Sequence, residues 1–400
     1  MRDERVAGPL LALAGLSLGA WIGLSLARGR FWSVEPPVRL TASDAGALPS
    51  VAAVVPARNE AETIGLAVRS LRQQNYAGPF SITVVDDASS DATAAVARVA
   101  AEGIGGASSL EVVACRPLTE PWTGKVNALD AGVHHVLSSR GRPDYWLFTD
   151  ADIVHDPANL ANLIDIARSG ELDLASLMVL LHCESRWERL LMPAFVFFFR
   201  KLYPFAWSND PTRRTAAAAG GCVLIRADAL DRIGGLSAIA GEIIDDCALA
   251  GAVKSSGGST WLGLTRSTRS IRRYTTLEPI WSMVKRTAFT QLQRSYAVTA
   301  LAVAGMIVAY LLPPALTVAG VVRTDAKLLL VAGLAWAAMS LLYVPTLRLY
   351  DRPAHEALAL PLAATLYVAM TVDSAIAGAR GRGGAWKGRT YSSSGEPSGG

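Results

Sequence analysis

The stretch Trp146-Leu147-Phe148-Thr149-Asp150-Ala151-Asp152 combines a short apolar run with two carboxylates that lie one residue apart. The run predicts a buried strand, and because strand side chains alternate, Asp150 and Asp152 would face the same way if the strand continued. Where the chain turns at a strand end, both carboxylates can converge on one point. Such a pair suits a hard divalent cation, Mg²⁺ or Mn²⁺, which is typically shared with a substrate diphosphate. The pair also occurs by chance, so solvated turn carboxylates are the alternative until the rest of the chain is considered.

The composition favours a membrane protein. Of 400 residues, 51% are hydrophobic and only 18% are charged, which is more apolar than an ordinary soluble enzyme. The net charge of +4 is compatible with a basic face toward anionic lipid or nucleotide phosphates, but the chain contains no nucleic-acid-binding motif. The four cysteines form no Cys-x-x-Cys pair, which argues against a zinc site or a disulfide framework and fits a reducing compartment.

Residues 7–27 are predicted to form an N-terminal transmembrane anchor. Pro9 to Ala27 is uncharged and nearly long enough to cross a hydrocarbon core of about 30 Å. A signal peptide is the rival interpretation, but no Ala-x-Ala cleavage site follows. Arg28 and Arg30 follow instead, and by the positive-inside rule they favour a cytoplasmic location for the next domain. The sequence thus predicts an uncleaved anchor, with the domain that follows it in the cytoplasm.

The region 295–379 is predicted to contain about three further transmembrane helices, at Tyr296–Val322, Leu328–Leu347 and Ala357–Ala379. The basic and disordered tail, residues 380–400, favours the inside, whereas three spans after a cytoplasmic domain would put it outside. Because Pro313-Pro314 interrupts the first of these segments, that segment is the candidate for a re-entrant or interfacial helix.

Between the membrane regions, residues 48–294 show alternating strand and helix patterns. Predicted strands Val51–Val55, Ser81–Val85, Leu110–Ala114 and Tyr145–Phe148 alternate with predicted helices at about Glu62–Gln74, Thr93–Ala101 and Lys125–Val136. This order implies a parallel sheet with right-handed crossovers, and ligands of such sheets bind at the carboxyl ends of the strands. Polar clusters follow three of these strands: Asn59 and Glu60, Asp86 and Asp87, and Asp150 and Asp152. Their convergence makes a chance origin of Asp150-x-Asp152 a poor explanation.

The second half of this region is less regular. Leu172–Leu181 and the residues after Gly220-Gly221-Cys222 are predicted strands. Asp245 and Asp246 are predicted to begin a helix, where the helix dipole favours acids, so a purely structural role is their alternative. The aromatic-rich segment Arg189–Trp207 is either a core helix or an interfacial one, and Leu277–Arg294 is amphipathic and could lie at the membrane surface.

Taken together, these motifs resemble a family 2 glycosyltransferase of the GT-A fold, a nucleotide-diphospho-sugar transferase with a Rossmann-like mixed α/β sheet. The resemblance covers about Val51 to Arg294. It rests on Pro56-x-x-Asn59-Glu60, Asp86-Asp87 with Ser89-x-Asp91, Gly124-Lys125, Thr149-Asp150-Ala151-Asp152, Gly220-Gly221-Cys222, Asp245-Asp246-x-x-Leu249 and Gln291-x-x-Arg294. The whole chain is similar to the hopanoid-biosynthesis-associated membrane glycosyltransferases of bacteria, with the tail segment Trp386–Tyr391 supporting that narrower match.

The resemblance implies a role for each matching residue. The donor nucleotide sugar, a UDP-sugar, would be bound by Pro56, Asn59, Glu60, Asp86, Asp87, Lys125 and Asp150, with Gln291 and Arg294 closing over the diphosphate. Asp152 would ligate Mg²⁺ or Mn²⁺, with Asp150 on the ribose or in the metal shell. Asp246 would be the catalytic base and Asp245 its alternate. Taken alone, Lys125 at a solvated helix start and Asp86-Asp87 as loop acids are equally acceptable interpretations.

The chain departs from the processive polysaccharide synthases of this family at Ser295, where they have Trp after Gln-x-x-Arg. The departure argues for single transfer to a lipid acceptor. With one base, direct attack inverts the anomeric centre, because a retaining double displacement needs a second, nucleophilic carboxylate near the sugar. The alternatives are polysaccharide or polyprenyl-phosphate glycosyl transfer, a nucleotidyltransferase, which is disfavoured by the lack of a Gly-rich loop after the first strand, and a non-catalytic membrane scaffold.

Overall fold

The computed structural model describes residues 2–34, 47–102, 109–380, 385–386 and 389–390. The chain divides into two units: a sheet unit, Glu35–His182 with Phe205–Arg273, and a helical unit, Met1–Val34 with Cys183–Pro204 and Tyr274–Gly400. The predicted limits of 48–294 for the catalytic domain remain a prediction. The division by compactness differs from them, because it assigns residues 183–204 and 274–294 to the helical unit.

The described helices and strands alternate through most of the sheet unit, while long helices make up most of the helical unit. In chain order they are α1 (Arg2–Ala27), β1 (Val51–Ala57), α2 (Ile64–Arg72), β2 (Phe80–Asp86), α3 (Thr93–Ala101), β3 (Ser109–Ala114), α4 (Gly124–Ser139), β4 (Tyr145–Phe148), β5 (Ile153–His155), α5 (Asn159–Ser169), β6 (Leu174–Leu180), α6 (Arg186–Leu202), α7 (Phe205–Ser208), β7 (Val223–Arg226), α8 (Ala227–Arg232), α9 (Asp245–Ser255), β8 (Thr260–Ser270), α10 (Leu277–Gln291), α11 (Tyr296–Met306), α12 (Leu312–Val322), α13 (Ala326–Leu349), α14 (Leu360–Ala379), β9 (Ala385–Trp386) and β10 (Arg389–Thr390). Two 3₁₀ segments, Gly235–Ile239 and Ala354–Ala359, and a π segment, Ile307–Leu311, complete this description.

The sheet unit contains a mixed sheet whose described strands have the order β3-β2-β1-β4-β7-β6-β8-β5. Strands β1, β2, β3 and β4 run parallel, as predicted, whereas β7 is antiparallel to both β4 and β6, and β5 is antiparallel to β8. The predicted parallel arrangement of the first four strands and the predicted mixed sheet are therefore both confirmed. Because β7 runs backwards, its first residue pairs with the last residue of β4. The loop that precedes β7 thus lies at the same edge as the carboxyl end of β4.

Helices cover both faces of this sheet. Alternating residues of β1 enter different cores: Val51, Ala53 and Val55 pack with α2, α3 and α5, while Ala52 and Val54 pack with α4 and α9. All residues of β1 are buried, as expected of a parallel strand that is covered on both faces. Helix α4 approaches closely enough that a Cβ at Gly132 would lie 2.4 Å from Cγ1 of Val54. The helix that begins at the predicted ligand edge is therefore fixed firmly to the sheet.

In the helical unit, four segments within the described residues are long and apolar enough to cross a membrane: Gly8–Ala27, Tyr296–Val322, Ala326–Leu349 and Ala354–Ala379. The second is helical across its proline pair, and its re-entrant or interfacial placement stays a prediction. Pro313 has no N–H for the carbonyl of Ala309, and the Trp21 indole donates to that carbonyl instead at 2.6 Å. Ser17 likewise donates to the carbonyl of Val308 at 2.6 Å. Helix α1 thus compensates for the proline pair, as apolar surroundings require.

Two segments that the sequence left open are helices that pack inside the helical unit. Helix α6 begins with a capping box formed by Ser185 and Glu188, and its Phe197 is fully buried. Helix α10 is bound to α14 through Asp373, which accepts from Trp281 at 2.7 Å and pairs with Lys285 at 2.9 Å. In the tail, β9 and β10 pair antiparallel. The predicted disorder of Ser392–Gly400 lies outside the described residues.

Candidate active site

The polar residues that follow β1, β2 and β4 meet at one edge of the sheet, as predicted. Register pairs Ala57 with Asp86, and Val54 with Phe148, so the carboxyl ends of these strands are neighbours. One pocket at this edge brings together Lys125 and the carboxylates of Asp150, Asp245 and Asp246. It is lined by Pro56, Lys125, Leu129, Phe148, Thr149, Asp150, Gly220, Val223, Leu236, Ile239, Asp245, Asp246 and Leu249.

Lys125 is the central cation of this pocket. It lies in the first turn of α4, and its Nζ is 2.9 Å from Oδ1 of Asp150 and 3.3 Å from Oδ2 of Asp245. Burial alone would lower the pKa of Lys125, but the surrounding carboxylates outweigh burial and raise that pKa above its usual value. A Cβ at Gly220 would lie 2.8 Å from Nζ, so the glycine leaves room for this side chain. Lys125 is therefore a fixed positive charge between acids from two elements.

Asp246 is the most perturbed acid of the pocket. Burial and the neighbouring Asp245 carboxylate raise its pKa to about 6, although the Lys125 charge opposes them. Its two oxygens accept separate backbone N–H groups, from Gly220 at 2.7 Å and from Cys247 at 2.8 Å. A carboxylate with this pKa is ionised at neutral pH and is a stronger base than an ordinary aspartate. Such a group suits proton abstraction.

Residues at and just after the end of β8 hold Asp152, on the other side of the carboxyl end of β4. Its Oδ2 accepts from the Ser270 hydroxyl at 2.6 Å and lies 3.4 Å from Nε of Arg272. Arg272 also binds both carboxylate oxygens of Glu60 at 2.6 Å. Burial raises the pKa of Asp152, and the Arg272 charge opposes the rise only in part. The two aspartates of the opening motif are thus paired with different cations, Asp150 with Lys125 and Asp152 with Arg272.

The carboxylates of Asp150 and Asp152 have the oxygen chemistry that Mg²⁺ and Mn²⁺ prefer. Among the described residues, no group of three or more His, Cys, Asp or Glu side chains is placed to hold a metal. Magnesium commonly binds through one or two carboxylates and takes its other ligands from substrate phosphates and water. The pair therefore fits a cation that arrives with a diphosphate, and does not fit a metal site built from protein alone.

The predicted nucleotide residues surround the ends of β1 and β2. Asn59 has a positive φ of 52° and its side-chain oxygen accepts from the backbone of Ser90 at 2.8 Å, which ties the first loop to the second. Asp87 is buried, and its carboxylate lies 4.0 Å from Arg58. At Asp86, Oδ1 is buried with no hydrogen-bond partner among the described residues. An acceptor in this state suits a ligand donor such as a nucleobase N–H or a ribose hydroxyl.

Gln291 and Arg294 belong to the helical unit, at and just beyond the end of α10. The Gln291 amide donates to the Tyr203 hydroxyl at 2.6 Å, and Arg294 has a positive φ of 53°. Their predicted action on the donor diphosphate stays a prediction.

Sequence reasoning missed several residues that support the Asp150-Ala151-Asp152 motif. Ser270 and Arg272 were missed because β8 was not predicted as a strand. His155 and Asn159 were missed as well, and they form buried hydrogen bonds with each other and with Thr149 of the predicted motif. Their signal was available, because Asn159 opens a helix four residues after His155 and both side chains are polar.

Residues 52–234 match the profile of glycosyl transferase family 2. The predicted GT-A fold, with one N-terminal and three C-terminal candidate spans, is confirmed.

Two curated relatives are 4,4'-diaponeurosporenoate glycosyltransferases of Staphylococcus aureus. That of strain bovine RF122 / ET3-1 is 36% identical over 104 residues, 26% of this chain and 24% of the relative. That of strain USA300 is 36% identical over 100 residues, 25% of this chain and 23% of the relative. The chain spans about a quarter of the length of the curated relatives it matches.

Two solved structures are also similar. The mannosyltransferase PcManGT from Pyrobaculum calidifontis, in complex with GDP-Man and Mn²⁺, is 20% identical with a TM-score of 0.49, covering 91% of this chain and 99% of that one. The glucosyl-3-phosphoglycerate synthase from Mycobacterium tuberculosis, in complex with Mg²⁺ and UDP, is 15% identical with a TM-score of 0.41, covering 62% of this chain and 79% of that one.

Proposed function

We propose that this protein is an inverting, metal-dependent glycosyltransferase that moves a sugar from a nucleotide-sugar donor, a UDP-sugar, to a lipid acceptor at the cytoplasmic face of the bacterial inner membrane. One observation carries the proposal. A single pocket at the carboxyl edge of a family 2 domain holds Lys125 together with the carboxylates of Asp150, Asp245 and Asp246.

The donor is bound by residues from three strand ends. The buried acceptor on Asp86 takes a nucleoside donor group, and Asp87, Pro56, Asn59 and Glu60 belong to the same edge of the sheet. Departure of the nucleoside diphosphate leaves negative charge on the diphosphate, which fixed cations stabilise in a water-poor pocket.

A divalent cation and Arg294 would supply that positive charge besides Lys125. A divalent cation on Asp150 and Asp152 would neutralise the leaving diphosphate when bound. The family resemblance implies that Gln291 and Arg294 act on the donor diphosphate.

Asp246 is the proposed base for the acceptor hydroxyl. Asp150 and Asp245 both pair with Lys125, which leaves Asp246 as the pocket carboxylate whose proton affinity is raised. With a pKa of about 6 it is ionised at neutral pH and can take a proton from an attacking hydroxyl. Attack supported by one base at one face of the sugar inverts the anomeric centre.

The acceptor is proposed to be a lipid because four apolar helices accompany the domain. The curated relatives are named for 4,4'-diaponeurosporenoate, a carotenoid-like lipid acid, which favours a carotenoid-type lipid. A hopanoid-related lipid is the alternative, and it depends on the sequence resemblance alone.

Membranes from cells that express the wild-type chain, Asp152→Asn or Asp246→Asn provide the test. Each membrane is incubated with labelled nucleotide sugars and Mn²⁺, and label in extracted lipid is measured. We expect Asp246→Asn to lower transfer by about 10²- to 10⁴-fold, the usual contribution of a general base. Asp231→Asn is the matched control, because its side chain is 62% exposed and lies outside the pocket. Unchanged transfer in both site variants would refute the proposal.

Lipid profiling by mass spectrometry, with the gene deleted and then restored, identifies the acceptor. A glycolipid that disappears and returns gives the sugar and the lipid together. A carotenoid-type product and a hopanoid-type product differ in the mass and fragmentation of the lipid part, so one measurement separates the two acceptor classes.

A further inference from the structure

A chain of buried hydrogen bonds lies directly beneath the candidate site. Thr149, His155 and Asn159 are each at most 3% exposed, and Thr268 is fully buried. The Thr149 hydroxyl is 3.0 Å from Nε2 of His155, and Nδ1 of His155 is 3.1 Å from the Asn159 side-chain nitrogen. The Asn159 oxygen accepts from the Thr268 hydroxyl at 2.8 Å. Four polar side chains are thus joined in a region that water does not reach.

In this series of hydrogen bonds, the last bond determines which group donates and which group accepts in each of the others. The Thr149 hydroxyl donates its only proton to the Gly221 carbonyl at 2.8 Å. It must therefore accept from Nε2–H of His155, which leaves Nδ1 of His155 to accept from Asn159. All bonds run in one direction, from Thr268 to Gly221. Burial lowers the pKa of His155 to about 4, so the neutral ring that this arrangement needs is present at physiological pH.

This series of hydrogen bonds connects the three backbone segments that hold the site carboxylates. Thr149 is the residue before Asp150. Gly221 follows Gly220, whose N–H binds Asp246 at 2.7 Å. At the other end, Thr268 precedes Ser270 on β8, and Ser270 binds Asp152 at 2.6 Å. A shift of any one segment would therefore strain hydrogen bonds that fix the other two.

We propose that His155 is a positioning residue of this site, which joins the donor-side aspartates and the base Asp246 into one rigid unit through Thr149 and Asn159. The inference rests on the proposed function. The competing explanation is that His155 is an ordinary core histidine, which contributes only to the stability of the fold. In that case the hydrogen bonds of the two ring nitrogens matter in the same way. If His155 is a positioning residue, catalysis depends on the nitrogen that faces Thr149.

Two substitutions of similar size separate the two ring nitrogens. In His155→Gln, the amide nitrogen can take the place of Nε2 and donate to Thr149. In His155→Asn, the shorter amide reaches the place of Nδ1, near Asn159, and loses Thr149. Each variant keeps one hydrogen bond and loses one, so a purely structural role predicts similar losses in both.

The purified full-length protein and its variants are assayed for kcat and donor KM, with the folded fraction measured by thermal unfolding. We expect His155→Asn to lower kcat by about 10- to 100-fold, the usual effect of losing a residue that orients a catalytic group, with little change in donor KM. We expect His155→Gln to keep kcat within about threefold of wild type. His134→Gln is the control, because the His134 side chain is 67% exposed on α4.

Equal kcat in wild type and both variants, per folded molecule, overturns the inference, and so does a more active Asn variant than Gln variant. If neither variant folds, Thr149→Val decides the question, because it removes the same link from the other side, and an unchanged kcat there overturns the inference. Wild-type protein that transfers no sugar to any lipid refutes the proposed function instead. If the wild-type protein is active and the His155 variants have the same kcat, only the role of His155 is refuted.

Discussion

Asp246→Asn is expected to stabilise the folded protein near neutral pH while it removes the proposed base. The carboxyl group is buried beside Asp245, and these surroundings raise its pKa from the ordinary 3.8 to about 6. An acid with a raised pKa is held less favourably in its ionised form than it would be in water. Replacing it with a neutral amide removes that unfavourable charge.

The sign and the pH window follow from linkage. Because the folded-state pKa is raised, the carboxyl contributes its stability fully below about pH 3.8, and that contribution is lost as the pH rises through about 6. The pKa difference corresponds to about 3 kcal/mol above that window, since one pKa unit is about 1.4 kcal/mol. The amide can accept only one of the two backbone N–H groups from Gly220 and Cys247, which costs about 1–2 kcal/mol. A net gain of about 1–2 kcal/mol is expected at pH 7.5.

Thermal unfolding of the purified protein in detergent at pH 4.5 and pH 7.5 measures the effect. The gain at pH 7.5 should appear as a rise of a few degrees in Tm. At pH 4.5 the gain should vanish or reverse, because the wild-type carboxyl is then largely protonated. Asp231→Asn, with an exposed side chain, should change neither value. A variant that is less stable than wild type at pH 7.5, or a difference that is the same at both pH values, would refute the account of Asp246.

Three further substitutions test separate parts of the structure. Asp86→Ala should raise the donor KM about 10-fold or more with a smaller effect on kcat, measured by steady-state kinetics, because it removes a buried acceptor without touching the base. Arg272→Gln leaves two buried acids without their shared cation, and should lower the free energy of unfolding by about 1–3 kcal/mol in denaturant titrations. Asp373→Asn breaks the pair with Lys285 and should lower the free energy of unfolding of the helical unit by about 1 kcal/mol, measured as a fall in Tm. An unchanged Tm would show that the pair contributes nothing.

Half of the site could be predicted because its strands are parallel and covered on both faces. Such strands are nearly continuous apolar runs, so β1, β2 and β4 stand out in the sequence, and each is followed by a polar cluster. Once these runs are recognised as parallel neighbours, the convergence of Asp86, Asp150 and Lys125 at one edge follows from the topology.

The other half could not be predicted because its strands lack that pattern. Strand β5 has only three residues, which is too short for a periodic signal. Strand β8 is rich in Thr, Ser and Arg, and its pairing with β6 shifts register between Met178 and Leu180. Ser270 and Arg272 therefore showed no sign of lying at the ligand edge. The helix at Tyr296–Val322 was predicted, but its continuity across Pro313-Pro314 was not, since the donors that compensate the prolines come from α1, far away in sequence.

The balance of charge at the ligand edge supports the proposal that a further cation binds there. Three carboxylates, of Asp150, Asp245 and Asp246, surround one lysine, and two more, of Glu60 and Asp152, share one arginine. When all are ionised, these two clusters carry an excess of three negative charges. A nucleoside diphosphate is itself an anion, and like charges in a poorly solvated pocket repel strongly. Added positive charge would therefore favour donor binding to these residues, which supports the proposed divalent cation at the Asp150-x-Asp152 pair.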